Sequence, residues 1–168
     1  MAWADVGNLL WHITRQTAPP HFGRSGLRVE HRVPPSAGGL HPFSLVCLSA
    51  EEPGAKIYDV GAHCFLPIVG DYTLLQRLNT LAVSAVTGTN RGCTVRFIAD
   101  AELADAAYAN SETLLLRDAG ALVAVASLFA EQLGLAACPL GFLGQELVAP
   151  LGFPDHRFLS MGGVQISR

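Results

Sequence analysis

A short run rich in proline and small residues, residues 34–43, is the part of the chain best suited to hold a flat or phosphorylated ligand. It reads Pro-Pro-Ser-Ala-Gly-Gly-Leu-His-Pro-Phe. Glycine has no Cβ, so a ligand can approach the backbone closely, and the exposed N–H groups of such a turn can bind an anion or a ring edge. A tight turn joining two structural elements would have the same composition, so both interpretations stay open.

Three side chains near this run extend its chemistry. Arg32 precedes it, and a guanidinium suits a phosphate or an electron-rich ring edge. His41 lies within it and could hydrogen-bond a ligand, move a proton or simply bond to backbone. Arg15 ends an apolar segment and could reach a phosphate, although an arginine at a helix C-terminus is also favourable for the helix dipole.

Apolar spacing predicts the elements that position these residues. Helices are predicted over residues 4–16, 72–86, 101–109, 112–133 and 145–151. Strands are predicted over residues 43–49, 94–98, 137–142 and 156–161, with a hairpin over residues 55–68. Residues 17–35 are predicted to be an irregular connection, residues 88–92 a turn, and Gly162 and Gly163 the start of a tail. Because strands and helices do not alternate strictly, the predicted class is α+β, in a single domain over residues 1–168.

Composition points to a large apolar interface. Half of the residues are hydrophobic and 15% are charged, against roughly 25% charged in an average soluble domain. The 112–133 helix is apolar on nearly every side after Asp118 and ends at Gly134, so we expect it to be buried, partly at the seam of a homodimer. Residues 119–130 carry no charge, but they are fewer than the about 20 that a membrane span needs, so no membrane partner is expected.

Charge and cysteine usage exclude other classes. The net charge is −3 and the arginines are scattered, which gives nucleic-acid binding no electrostatic support. The N-terminus lacks a basic segment followed by a long apolar one, so a cytoplasmic location is expected. Four cysteines lie far apart without metal-ligand spacing, which predicts reduced thiols and no metal site.

The 34–43 run resembles the flavin-contacting loop of the nitroreductase superfamily, most closely that of SagB-type dehydrogenases, the FMN-dependent azoline oxidases. Two further blocks are similar and occur in the same order: the Leu-Leu-Trp helix of residues 9–15, and residues 117–135, with Asp-Ala-Gly before an apolar helix and Leu-Gly-Leu after it. The resemblance implies a nitroreductase-like fold with a central, mostly antiparallel sheet flanked by helices. It also implies a homodimer with FMN bound without covalent attachment at its interface.

The resemblance also implies roles for particular residues. The backbone amide near Gly141 would face flavin N5, and Tyr108 and His41 would handle protons. The residues that would hold FMN are Arg15, Arg32, Pro35, Ser36, Ala37, Gly38, Gly39, Leu140, Gly141 and Arg168.

Two departures bear on the activity. Many nitroreductases have an Arg-x-Ser segment ahead of the first helix that this sequence does not include, and the azoline oxidases have Lys-Tyr where this chain has Ala107-Tyr108. A tyrosine alone is a weak base at neutral pH. The expected function is FMN-dependent dehydrogenation of a peptide-derived heterocyclic or similar biosynthetic intermediate, with a partner biosynthetic enzyme. The alternatives are an NAD(P)H-dependent reductase of nitro, quinone or enone compounds, and a non-catalytic relative that scaffolds a biosynthetic complex.

Overall fold

The computed structural model describes residues 1–70, 72–89 and 91–168. Its helices are α1 (Trp3–Thr14), α2 (Tyr72–Thr87), α3 (Ala101–Asp105) and α4 (Ser111–Gln132). Its strands are β1 (Gln16–Phe22), β2 (Arg28–Arg32), β3 (Phe43–Ser49), β4 (Ala55–Asp59), β5 (Cys64–Ile68), β6 (Cys93–Asp100), β7 (Ala136–Leu140) and β8 (Phe158–Ser167). Short 3₁₀ turns form at Ala37–Gly39 and Gln145–Leu147.

Strands β3 to β8 form one six-stranded sheet in the order β5-β4-β3-β6-β8-β7. Each described pairing in it is antiparallel. The two outer strands each contain a proline, Pro67 in β5 and Pro139 in β7, and a proline cannot donate to a further strand. The predicted α+β class, with a mostly antiparallel sheet flanked by helices, is confirmed. That residues 1–168 form a single domain stays a prediction.

Alternating residues of β3 explain how the sheet is covered on both faces. Leu45 and Cys47 belong to a core shared with α1 and α4, whereas Val46 and Leu48 belong to a second core that includes Leu75 of α2. Successive side chains of a strand point to opposite faces, so a strand buried on both faces is apolar throughout. The uninterrupted apolar run of β3 is therefore the signature of a central strand.

The prediction of an irregular connection over residues 17–35 was wrong. This segment forms an antiparallel hairpin, in which β1 pairs with β2 around a turn closed by Gly23 N donating to Leu27 O at 2.9 Å. All seven residues of β1 are exposed. A strand whose side chains all face solvent needs no alternation of apolar and polar residues, so this pattern does not predict β1. Pro19 and Pro20 also made a strand less expected from the sequence.

The last strand is also longer than the 156–161 prediction. β8 continues through Gly162 and Gly163 to Ser167, so the two glycines lie inside a strand and do not begin a tail. A Cβ on Gly163 would lie 2.2 Å from Val95 O. Glycine is needed there because β6 passes too close for any side chain.

Helix α4 is buried on one face only. Leu115, Ala119, Leu122, Ala126 and Ala130 form that face, at spacings of three and four residues. The opposite face is open in the single chain: Leu116 and Leu128 are exposed there, Leu128 by 73%, next to the charged Arg117 and Glu131. The expected all-round burial is therefore not found within one chain, and the homodimer stays a prediction. By length and composition α4 could cross a membrane, a test that the core helices of soluble proteins also pass.

The other boundaries differ from the predictions by a few residues. Helix α1 ends at Thr14 because Arg15 is extended. The predicted 101–109 and 145–151 helices shorten to α3 and the Gln145–Leu147 turn. Gly134 has φ +68°, as expected of a glycine that ends a helix. The turn predicted over residues 88–92 includes Asn90, which lies outside the described residues.

Candidate functional site

The 34–43 loop joins β2 to β3 and lies against the hairpin. Gly38 and Gly39 have φ values of +62° and +64°, a region that residues with a Cβ rarely adopt. A Cβ on Gly39 would lie 2.8 Å from Val29 Cγ1 and 2.9 Å from Glu30 O. Gly39 therefore allows the close packing of the loop on β2.

Asp118 of α4 fixes the start of the loop. Its Oδ2 accepts a hydrogen bond of 2.6 Å from Ser36 Oγ, and the amide of Ala37 donates to the same oxygen at 2.9 Å. Ser36 Oγ in turn accepts from the amide of His41 at 3.0 Å. Two residues that the resemblance assigns to FMN, Ser36 and Ala37, thus already have a partner within the protein. Asp118 belongs to a motif visible in the sequence, but this contact could not be predicted from it.

A small cavity of about 30 Å³ lies beside the loop. Its apolar walls come from α1, β3 and α4, with Ile13, Phe43 and Leu122 as examples. On the hairpin side the loop borders a groove of about 440 Å³. Arg32, Pro34, Pro35, Ser36 and His41 border both spaces. The loop therefore presents one set of residues to two neighbouring concave surfaces.

Arg32 is at the site but is paired. Its Nε and Nη2 donate to Glu30 Oε2 at 2.8 and 2.5 Å, and Arg28 Nε lies 3.1 Å from the other carboxylate oxygen. Burial alone would raise the pKa of Glu30, but the hydrogen bond and charge of Arg32, with the charge of Arg28, lower it. An anion at this site would share Arg32 with a carboxylate that sequence reasoning had not singled out.

His41 is held neutral beside this ion pair. It has φ +45°, and its Nε2 lies 3.1 Å from Glu30 O. Burial lowers the pKa of His41, and the charge of Arg32 lowers it further. Because a carbonyl oxygen can only accept, Nε2 carries the proton and Nδ1 is left as an acceptor. The ring can therefore take up a proton at Nδ1.

Tyr108 also lies against the loop, on its α3 side. A Cβ built on Gly38 would be 2.5 Å from the Tyr108 hydroxyl oxygen. Tyr108 borders a very small recess of about 10 Å³ together with Ala37 and Asp118. The structure thus gathers eight predicted residues at or against one loop: Arg32, Pro35, Ser36, Ala37, Gly38, Gly39, His41 and Tyr108.

The other predicted residues lie elsewhere in the chain. Arg15 follows the cavity residue Thr14, but its guanidinium bonds to His12 and stacks on Trp11. Arg168 donates to Asp5 Oδ1 at 2.9 Å. Leu140 ends β7, the outer strand on the far side of β6 and β8 from β3, and Gly141 follows it. The predicted site is therefore divided within one chain, and the roles of its residues stay predictions.

No family model and no curated protein matches the sequence. Solved structures do match the fold. The E. coli microcin synthetase McbBCD complex, solved with truncated pro-MccB17 bound, aligns at a TM-score of 0.75 and 14% identity over 98% of this chain and 63% of that chain. A protein described as a nitroreductase from Anabaena variabilis aligns at 0.77 and 19% identity over 98% of this chain and 34% of that one. This chain thus spans less than two thirds of either.

A third structure, a protein described as a nitroreductase from Desulfovibrio desulfuricans, was solved in complex with FMN. It aligns at a TM-score of 0.53 and 16% identity over 99% of this chain and 86% of that chain. At these identities the likeness concerns the fold. The nitroreductase-like fold that the resemblance implied is confirmed.

Proposed function

We propose that this chain is a subunit of a flavin-dependent oxidoreductase of the nitroreductase superfamily and binds FMN beside the 34–43 loop. The observation that carries the proposal is the groove of about 440 Å³ between that loop and the hairpin of β1 and β2, in a fold shared with a protein solved with FMN. Val29, Pro34 and Pro35 give the groove apolar surface for a flat ring, and Arg32 and His41 supply a polar edge. When bound, FMN would supply the transfer of two electrons, and the protein would bind, orient and shield it.

The division of the predicted residues supports a site made by two copies of the chain. The loop precedes the central strand β3, whereas Gly141 follows the outer strand β7, and β6 and β8 lie between these two strands. Between the loop and Gly141 runs α4, whose open face includes Leu116 and Leu128. We therefore propose a homodimer in which one copy supplies the loop while the other supplies Gly141 and the C-terminal Arg168.

A titration of the purified protein with FMN, followed by absorbance and by sedimentation, tests both proposals. We expect one FMN per chain and a dimer. Leu128→Glu should give a monomer that no longer binds FMN, because it places a charge at the centre of the open face. The control is Leu81→Glu at a 62% exposed position of α2, which should change neither property. A wild-type protein that stays colourless with FMN would contradict the cofactor proposal.

We further propose SagB-type chemistry: dehydrogenation of a peptide-derived heterocycle, in concert with a partner biosynthetic enzyme. The support is the fold shared with a protein of the McbBCD complex, which was solved with a truncated precursor bound. In this chain the neutral His41 could accept the substrate proton, and the hydroxyl of Tyr108 beside the loop could relay it. Oxygen-dependent conversion of an azoline peptide, lost in Tyr108→Phe and in His41→Asn, would support it.

Two alternatives have observations of their own. The fold neighbours described as nitroreductases favour an NAD(P)H-dependent reductase. Rapid NADH consumption with a quinone acceptor would support that activity over peptide dehydrogenation. The engagement of Ser36 and Ala37 by Asp118 favours a non-catalytic scaffold, since these groups are then occupied without a cofactor. A dimer that binds no FMN but forms a stable complex with a partner enzyme would support the scaffold.

A further inference from the structure

A fully buried arginine lies on the far side of the sheet from the 34–43 loop. Arg96 is at the middle of β6 and is 0% exposed. Its Nε and Nη2 donate to Asn79 Oδ1 of α2 at 3.2 and 3.0 Å, while Nη1 is buried without a hydrogen-bond partner among the described residues. The ion pairs of the described part of the chain do not include Arg96. A buried cation is costly, so its contacts call for an explanation.

The guanidinium supports the turn that follows β7. Its central carbon lies 4.5 Å from the centroid of the Phe142 ring, within the range of a cation–π contact. Gly144 has φ +82°, and a Cβ there would lie 2.7 Å from Arg96 Nη1. Burial lowers the pKa of Arg96 to about 10, with the charge of Glu146 opposing the shift. The side chain is therefore still a cation at neutral pH.

The same turn, residues 141–144, is held from its other side by β8. Leu143 O accepts hydrogen bonds from Ser160 Oγ at 2.6 Å and from the amide of Gly162 at 3.2 Å. Arg96 lies opposite Gly163 and Ile98 lies opposite Ser160, so β8 has one extra residue here. Such β-bulges redirect a strand and its side chains. Arg96 thus lies next to the bulge in β8, and the bulge contains Ser160 and Gly162, which hydrogen-bond to the turn.

We propose that Arg96 is a positioning residue that fixes the backbone of the 141–144 turn, and with it the direction of the Gly141 amide. The inference rests on the proposed function, because the direction of that amide matters when it faces FMN. Asn79 orients the guanidinium from α2, and the guanidinium holds Phe142 and Gly144 in place. In this way the helix on one face of the sheet sets the geometry of a turn at its edge.

Amide hydrogen exchange in the full chain tests the proposal without any cofactor. The amide of Leu147 donates to Gly144 O at 3.1 Å and that of Gly162 donates to Leu143 O, so their exchange rates report opening of the turn. Arg96→Met and Phe142→Leu should each speed exchange at both amides by about three- to tenfold, as expected from the loss of a partly buried cation–π contact. Phe65→Leu, at an aromatic residue packed on the first core and away from the turn, is the matched control and should leave both amides unchanged.

Phe142→Leu leaves Arg96 and its buried bonds intact, so it carries the test if Arg96→Met does not fold. Unchanged exchange at both amides in Phe142→Leu would overturn the inference. In protein loaded with FMN, both variants should also shift the midpoint potential of the bound flavin away from the wild-type value. Arg96→Lys, which keeps the positive charge, should shift this potential less than Arg96→Met does. Faster exchange with an unchanged potential would overturn the role towards Gly141. A wild-type chain that binds no FMN would contradict the proposed function, while the exchange experiment would still decide how the turn is held.

Discussion

Removing the carboxylate of Asp118 should release the start of the 34–43 loop from α4 and destabilise the protein. Asp118→Ala deletes the acceptor of the Ser36 hydroxyl at 2.6 Å and of the Ala37 amide at 2.9 Å. Hydrogen bonds to a charged group contribute about 1.5–3 kcal/mol each, but a freed hydroxyl can turn to other acceptors. We therefore expect a loss of about 2–4 kcal/mol in the free energy of unfolding. For a chain of this size that corresponds to roughly 5–15 °C in Tm.

Urea unfolding followed by circular dichroism measures the loss, provided that the slope with denaturant stays constant. Arg117→Ala, at the exposed neighbouring position on α4, is the control and should stay within about 0.5 kcal/mol of wild type. Ser36→Ala should show part of the effect, because it keeps the Ala37 amide bond. An Asp118→Ala protein as stable as Arg117→Ala would refute the reasoning: the prolines and glycines alone would then fix the loop.

The same variant separates loop geometry from cofactor binding. If the loop contacts FMN in the geometry that Asp118 imposes, Asp118→Ala should also weaken FMN binding, because the loop must then be ordered on binding. A variant that is less stable but binds FMN like wild type would mean that the loop does not contribute to the flavin site. Urea unfolding therefore tests whether Asp118 stabilises the loop, and FMN binding tests whether the loop contributes to the flavin site.

Three further predictions concern stability. Gly39→Ala should destabilise by roughly 1–3 kcal/mol more than Gly26→Ala in urea unfolding, because both positions have positive φ but only Gly39 lacks room for a Cβ; equal losses would contradict the close packing on β2. Burial lowers the pKa of His41, so the unfolded chain binds the proton first and the free energy of unfolding should fall as pH drops below about 6.5. His41→Asn should make the free energy of unfolding depend less steeply on pH between 7.5 and 5.5. An unchanged pH dependence in this variant would contradict the lowered pKa of His41. The hydrogen bond from Arg157 lowers the pKa of Asp100, so its stabilisation is present above about pH 4 and lost as pH falls through the folded pKa; acid unfolding curves of Asp100→Asn should lack this part of the loss.

Local pattern predicted most of the buried parts of the fold, but not the buried second half of β8, where Gly162 and Gly163 interrupt the apolar pattern. The apolar run of β3, the amphipathic spacing of α2 and the glycine after α4 each follow from the environment of a single segment. The hairpin of β1 and β2 could not be predicted in this way, because its pairing uses backbone groups while its side chains stay in solvent. Burial of one face gives a sequence a periodic pattern of apolar residues, whereas backbone pairing between solvent-exposed strands gives no such pattern.

The site was predicted only as far as its loop. The composition of residues 34–43 predicts a tight turn. The contact that fixes the start of this turn joins Ser36 to Asp118, which are far apart in the sequence. The pairing of Arg32 with Glu30 and that of Arg96 with Asn79 likewise depend on how elements pack. A sequence shows which side chains are available, and tertiary packing decides which of them are already engaged.

Helix α4 connects the two halves of the proposed mechanism. Along its buried side, Leu115, Ala119 and Leu122 pack on the sheet, which places the intervening Asp118 against the 34–43 loop. Its open side carries Leu116 and Leu128, the surface that a second copy would cover in the proposed dimer. A displacement of α4 at that surface would therefore move the acceptor that holds the loop. Because both surfaces belong to one rigid helix, assembly of the dimer and ordering of the flavin site would be a single coupled event in this chain.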